Sequence, residues 1–230
     1  MARLARIVAT GYPHHVTQRG NRRQQTFFSD EDYQAYIELM AEWSSRCGNT
    51  IWAYCLMPNH VHMVVVPAEE KGFALGIGEA HRRYTRRINF RENWRGYLWQ
   101  GRFSSCVLDE EHLYAAVRYV EMNPVGAGLV EKPDDWPWSS AKAHLSGIDD
   151  GLVQVTPMLE VIATYGIDWR AYLTQQPPED ALIKNLHQSE RTGRPLGDSK
   201  FLDNLGSKLS RNLHHSKPGR PRKNRQNRKL

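Results

Sequence analysis

The chain has 230 residues, enough for one large domain or for a domain of about 100 to 150 residues with an extension. Its 40% hydrophobic and 24% charged residues describe a soluble globular protein, and its longest apolar runs, such as Met63 to Val66, fall far short of the roughly 20 residues of a membrane span. Three cysteines (Cys47, Cys55, Cys106) without CxxC spacing exclude a disulfide scaffold and a cysteine-built zinc finger, and Met1 to Ala9 has no secretory apolar stretch, so a reducing cytoplasm is expected.

The net charge of +6 is unevenly placed. Eight Lys and Arg fall between Arg211 and Leu230 without an acid, leaving 23 basic against 25 acidic residues in positions 1 to 210. Residues 1 to 25 hold five arginines and no acid, and His81 to Arg102 holds seven arginines against Glu92. Such blocks suit a polyanionic partner.

In chain order, Val8 to Thr17 reads as a strand ending at the turn Arg19-Gly20-Asn21. Ser29 is an N-cap candidate, with Asp30, Glu31 and Asp32 in the first turn of a helix that Gly48 stops after Cys47. Thr50 to Met57 and His60 to Val66 are strands around Pro58-Asn59. A second helix runs from Phe73 to Phe90 with an arginine-rich face. Tyr97 to Leu108 is a strand, and Asp109 caps a third helix from Glu110 to Asn123, before Pro124. The order β-α-β-β-α-β plus a helix predicts an α+β, ferredoxin-like (split βαβ) antiparallel sheet with helices on one face and the other face free. Trp136 to Ser140 is expected to pack back on this core. Three regions follow: a core over 1–146, a helical extension over 147–211 and a basic tail over 212–230, the last poor in apolar residues. In the extension, Thr156 to Thr164 and Ile167 to Gln175 look helical, and Pro177-Pro178 separates them from a helix near Phe201 to Leu209.

His60-Val61-His62 places two imidazoles on one face of a strand, where both can reach one ion, although two ligands are too few. Phosphodiester transfer can use a tyrosine nucleophile beside a metal, and on a helix a further ligand would stand at i+4. Of ten tyrosines, Tyr119 with Asn123 and Tyr172 with Gln176 meet that spacing. Tyr119 follows the sheet directly, whereas Tyr172 lies in the extension, so Tyr119 is the candidate.

Four ordered segments carry a family resemblance: Val16-Thr17-Gln18-Arg19-Gly20-Asn21, Ala53 to His62, Gly96 to Phe103, and Tyr119 to Val125. Together they resemble the REP-associated tyrosine transposases, relatives of the single-tyrosine, His-hydrophobic-His insertion-sequence transposases. The likeness is close over residues 5 to 145 and looser over Arg191 to Gly197. It implies a divalent metal, Mg²⁺ or Mn²⁺, and metal-dependent cleavage and rejoining of single-stranded DNA at repetitive extragenic palindrome hairpins. It implies His60, His62 and Asn123 as metal ligands and Tyr119 as the catalytic nucleophile, forming a 5′-phosphotyrosine and a free 3′-OH. The link stores the phosphodiester energy, so no nucleotide cofactor is needed.

DNA contacts are expected from Arg19, Arg22 and Arg23, from the α-helical stripe Arg82, Arg83, Arg86 and Arg87, and from Arg102. The tail residues Lys217, Arg220, Arg222 and Lys223 frame an AT-hook-like Gly-Arg-Pro, with a purely electrostatic tail as the alternative. A monomer, no membrane and a cytoplasmic, nucleoid-associated location complete the reading. The competing readings are a non-catalytic hairpin-binding regulator on the same fold and a metallohydrolase, for which no carboxylate stands at a matching spacing.

Overall fold

A computed structural model describes residues 6–174 and 180–214. Strands β1 (His14–Arg19), β2 (Asn49–Met57), β3 (His60–Pro67) and β4 (Ser104–Val107) form one antiparallel sheet in the order β2-β3-β1-β4. Helices α1 (Asp30–Arg46) and α2 (Glu70–Arg91) join them in the split βαβ order, and α3 (Glu110–Gly126) follows β4. The expected ferredoxin-like arrangement is present.

Alternation along the strands builds two cores. Val61, Met63 and Val65 of β3 turn toward α1 and α2, where they meet Val16, Leu56, Phe73, Ile77 and Tyr84. Val64 points the other way and joins Ala53, Cys55 and Cys106 against Ala116 and Val120 of α3. In β2, Ile51 opposes Val65 and Ala53 opposes Val64, so Trp52 is an extra residue in a β-bulge. The bulge changes the parity of the strand. It lets Ile51 and Leu56 face α1 and α2 while Ala53, Cys55 and Met57 face α3.

The second sheet face, expected to be free, is covered. Leu113, Ala116, Val117 and Val120 give α3 an apolar stripe that must be buried, and the sheet receives it. Helices α4 (Ala141–Ser146), α5 (Thr156–Ala163), α6 (Trp169–Thr174), α7 (Asp180–Thr192) and α8 (Ser199–Leu209) follow among the described residues. Met158, Trp169, Leu173 and Leu186 extend the α3-side core, and Leu205 of α8 packs with Ile7, Ala9 and Val107. Helices α5, α6 and α8 match the sequence pattern; α4 and α7 are additions to it. Gln175 and Pro177-Pro178 lie outside the described residues.

Other boundaries differ from the sequence pattern for identifiable reasons. β1 begins at His14 because the chain turns first, with Gly11 at φ 78° and the Tyr12 amide donating to the Ala9 carbonyl at 3.2 Å. β4 keeps only Ser104 to Val107 of the expected Tyr97 to Leu108, since Gly96 and Gly101 at φ 103° and 80° bend the rest into a loop. α3 runs through Pro124 to Gly126. Proline removes one amide, but the Ala127 amide still donates to the Asn123 carbonyl at 2.9 Å. Asp109 caps α3 as expected, accepting from the His112 amide at 2.9 Å, whereas the Ser29 hydroxyl makes no capping bond to α1.

The Trp136 to Ser140 segment does return to the core. Trp138 stacks on Tyr33 with ring centroids 4.7 Å apart, and the Trp136 indole donates to the Leu56 carbonyl at 3.0 Å. Behind it lies a buried polar node. The Glu121 carboxylate accepts from the Ser140 hydroxyl at 2.5 Å and the Trp169 indole at 2.8 Å, and it pairs with His144 Nδ1 at 2.6 Å, tying α3 to α4 and α6.

Candidate active site

β1 and β3 pair with Thr17 opposite His62 and Arg19 opposite His60. His15, Thr17 and Arg19 therefore share the α3-side face with His60 and His62. The His60 and His62 rings have centroids 4.9 Å apart. His60 Nδ1 lies 2.6 Å from Asn59 Oδ1, which places its proton on Nδ1 and leaves the Nε2 lone pair open. Burial, and next the charge of Arg19, lower the His60 pKa to about 4. Burial holds fully enclosed His62 well below the usual histidine range. Both rings are neutral at pH 7, the state a metal ligand requires.

α3 brings Tyr119 over this pair. Its ring stands perpendicular to His62 with centroids 5.4 Å apart, and to His15 at 6.3 Å. Asn123, one turn later, hydrogen-bonds the phenol. Burial, then the negative charge of Glu190, pushes the Tyr119 pKa up to about 12, against the Asn123 bond and Arg19, which pull it down. The phenol is protonated at neutral pH. Tyr119, Met122, Asn123 and Ile183 line an open cleft.

Three residues absent from the sequence reading complete the centre. His15 Nε2 lies 3.1 Å from His62 Nδ1, with the rings stacked at 5.3 Å. Glu190, carried by α7, has Oε1 3.9 Å from His62 Nδ1, and His187 on the same helix stands edge-on to Tyr119 at 5.4 Å. Burial raises the Glu190 carboxyl to about 7, opposed by Arg19, and lowers His15 to about 3. One ligand atom each from His15, His62 and Glu190 falls within 4.8 Å of the others. The carboxylate whose absence counted against a metallohydrolase is thus supplied from 128 positions beyond His62. The available signal was the spacing of Leu182, Ile183, Leu186 and Glu190, which marks one face of a helix.

The basic residues divide. Arg19 lies beside the centre and acts on His60, His62, Tyr119 and Glu190. Arg22 and Arg23 are exposed at φ 54° and 61° in a short turn held by its neighbours. The Gly20 amide donates to the Asn59 carbonyl at 2.8 Å, Asn21 to Leu98 at 2.7 Å, and Gln100 to Arg19 at 2.8 Å. A side chain at position 20 would collide with the Gln24 carbonyl, so this interlock requires glycine. Arg82, Arg83, Arg86 and Arg87 are exposed on α2, across the sheet from Tyr119, with Arg82 and Arg83 paired to Glu79. Arg102 is exposed and shares a pocket with Arg6 and Phe103. Lys217, Arg220, Arg222 and Lys223 lie outside the described residues. Phe90, Trp94 and Tyr97 are exposed aromatics at 90%, 44% and 85%, a feature that the sequence pattern does not mark.

The family model for IS200-like transposases matches residues 8–123, from β1 to the Asn123 position. A Haemophilus influenzae protein described as a REP-associated tyrosine transposase is 31% identical over 99 residues, covering 38% of this chain and 56% of that protein. The chain therefore spans little more than half of that relative's length. A solved structure of a REP-associated tyrosine transposase bound to a REP hairpin superposes with a TM-score of 0.56 at 22% identity, over 67% of this chain and 92% of that one. That likeness establishes the fold. No helix among the described residues is long and apolar enough to cross a membrane.

Proposed function

Because the chain belongs to the IS200-like transposase family, we propose that it cleaves and rejoins single-stranded DNA at REP-like hairpins, with Tyr119 as nucleophile. The observation that carries this reading is the Tyr119 phenol, hydrogen-bonded to Asn123 and set edge-on against His62. The phenol oxygen attacks phosphorus and gives its proton to solvent, the bond from phosphorus to the 3′ oxygen breaks, and the departing oxygen takes a proton from solvent. The products are a 5′-phosphotyrosine and a 3′-OH. Return attack by a 3′-OH restores the phosphodiester and the phenol, so bond energy is conserved and no nucleotide cofactor is consumed.

The donor set fits the divalent cation that the family implies. His60 and His62 are neutral, His60 keeps an open Nε2 lone pair, and His62 Nε2 is buried without a hydrogen-bond partner among the described residues. A bound Mg²⁺ or Mn²⁺ at His60, His62 and Asn123 would supply positive charge against the non-bridging phosphate oxygens. Arg19 adds a fixed cation beside Tyr119, and Asn123 restrains the phenol.

For hairpin binding, Arg22 and Arg23 would contact phosphates beside the site, and exposed Phe90, Trp94 and Tyr97 offer flat surfaces for unpaired bases. The α2 arginines and Arg102 would hold backbone farther from the scissile bond, and the basic tail with Lys217, Arg220, Arg222 and Lys223 would add non-specific affinity. The protein would act as a monomer in the cytoplasm on nucleoid DNA. The test is incubation of the full chain with single-stranded hairpins in Mn²⁺. A protein–DNA band that survives denaturation is expected, and its absence with every hairpin that binds would leave the non-catalytic regulator as the better reading.

A further inference from the structure

We infer that His15, His62 and Glu190 form a second metal site, which takes a borderline-soft divalent ion such as Zn²⁺ or Co²⁺ and fastens α7 to the sheet. Its donor set differs from His60, His62 and Asn123 and takes the other nitrogen of His62; a neutral imidazole has one lone-pair nitrogen, so His62 serves one of the two ions at a time. The site stands whether or not Tyr119 forms an adduct.

Three Lewis bases converge here, and the protein offers them too few protons. His15 Nε2 and His62 Nδ1, 3.1 Å apart, share at most one hydrogen, and Glu190 Oε1 is 3.9 Å from His62 Nδ1. Glu190 Oε1 is buried with no hydrogen-bond partner among the described residues, and so is His15 Nδ1. Buried polar atoms in a purely structural cluster are normally paired, and an unpaired one costs about 1–3 kcal/mol. One cation would satisfy both converging nitrogens and the carboxylate oxygen at once. It would also free the hydrogen now shared between the rings.

The spacing suits such an ion. Ligands bonded at about 2.0–2.2 Å in a tetrahedral site stand about 3.3–3.6 Å from one another. The 3.1 and 3.9 Å separations bracket that range, and with all three ligand atoms within 4.8 Å of one another the remaining pair needs a shift of at most about 1 Å, which a glutamate on a surface helix can supply by rotation. Two imidazoles and one carboxylate, with a fourth position left to water or substrate, is a donor set that zinc accepts.

The consequence is mechanical. His15 lies on β1 and His62 on β3, both interior strands, whereas Glu190 lies on α7, whose buried residues among those described are Leu186 and Ser189. An ion held by all three would join the helical extension to the rigid sheet at the edge of the Tyr119 cleft.

The test uses the full chain, stripped with a chelator and titrated with Co²⁺. Visible absorption reports the ligand set, and hydrogen exchange of residues 181–192 reports α7. The wild type is expected to bind one ion through this set and to gain at least tenfold protection in α7. Glu190→Gln is expected to weaken Co²⁺ binding at least tenfold and abolish that gain, while His60→Ala and Asn123→Ala retain it. His15→Gln reads the same site from the sheet should the α7 variant perturb the helix. The inference is overturned if Co²⁺ leaves α7 exchange unchanged, or if Glu190→Gln binds as the wild type does while His60→Ala does not. Loss of the covalent adduct in Asn123→Ala with α7 protection intact would strike only the cleavage site.

Discussion

His14 and His15 are adjacent on β1 and face opposite sides of the sheet. The His14 ring packs on Phe73 at 4.7 Å, its Nε2 accepts from the Ala9 amide at 3.1 Å, and its Nδ1 bonds the Tyr12 carbonyl at 2.8 Å. His15 shares one bond with His62 and leaves Nδ1 without a partner among the described residues. A related contrast separates particular buried groups on the two faces. Between the sheet and the α1–α2 layer, the buried hydroxyls of Tyr36 and Tyr84 bond His81 Nε2 and the Thr26 carbonyl. Beneath α3, polar atoms of His15, His62 and Glu190 stay open. Single open atoms also occur beside the α1–α2 layer, at Trp43 Nε1, Ser44 Oγ and Asn49 Oδ1, so what sets the α3 side apart is convergence: His15, His62 and Glu190, from three elements, bring ligand atoms within 4.8 Å of one another.

The sharpest way to probe this contrast is Tyr119→Phe, which should abolish the covalent DNA adduct while leaving hairpin affinity within a few-fold and the melting temperature nearly unchanged. Tyr172→Phe is the matched control. Its hydroxyl donates to the Tyr114 carbonyl at 2.6 Å, so the variant should lose about 1 kcal/mol of stability and keep the adduct. An adduct missing in Tyr172→Phe alone would move the nucleophile.

Next in size is Glu121→Ala. The node lies on the α3 side and its carboxylate is closed, bonded by Ser140, His144 and Trp169, although His144 Nε2 has no partner among the described residues. Removing it should cost about 3 kcal/mol in denaturant unfolding, since three buried partners lose their acceptor, with little effect on metal affinity. A change in metal affinity comparable to that of Glu190→Gln would erase the distinction between the closed node and the open site.

A smaller effect separates the faces by pH. Burial lowers the His81 pKa from 6.5 to about 3. The folded state thus favours neutral His81, and the stability this provides is present above pH 6.5 and lost as pH falls toward 3. His81→Gln should reduce the acid-side slope of unfolding free energy by about 1.4 kcal/mol per pH unit within that window. An unchanged slope would mean that the ring is protonated in place. The smallest expected change is deletion of residues 212–230, which removes seven cations. It should flatten the dependence of log affinity on log salt by about 0.7–0.9 for each phosphate the tail no longer neutralises, with cleavage at saturating DNA preserved.

Local pattern made much of this legible. The alternation in His60 to Val66, the acidic first turn after Ser29 and the Asp109 cap set the element order, and the order set the sheet. Tyr119 and Asn123 were accessible because their relation is one helical turn. His15 was not, because inside Val8 to Thr17 it reads as one more strand residue, and only pairing with β3 through the Thr17–His62 register brings it to His62. Glu190 was hidden further. Its helix carries four spaced apolar or acidic positions, a weak periodicity, and its place at the sheet is a tertiary fact. The covered second face was hidden for the same reason, since the stripe on α3 shows that it must be buried but not where.

The bulge at Trp52 has a practical bearing on how this chain is aligned and edited. The bulge absorbs that single extra residue, because Ile51 and Ala53 oppose consecutive residues of β3 as neighbours in a regular strand would. Deleting Trp52 would therefore restore regular alternation and leave Tyr54 and Leu56 on the α1–α2 side and Cys55 and Met57 on the α3 side. A homologue lacking this position should keep the same polarity across the following five residues, and an alignment that moves the gap elsewhere in the strand is out of register. Redesign of the strand can remove position 52 without turning the strand over.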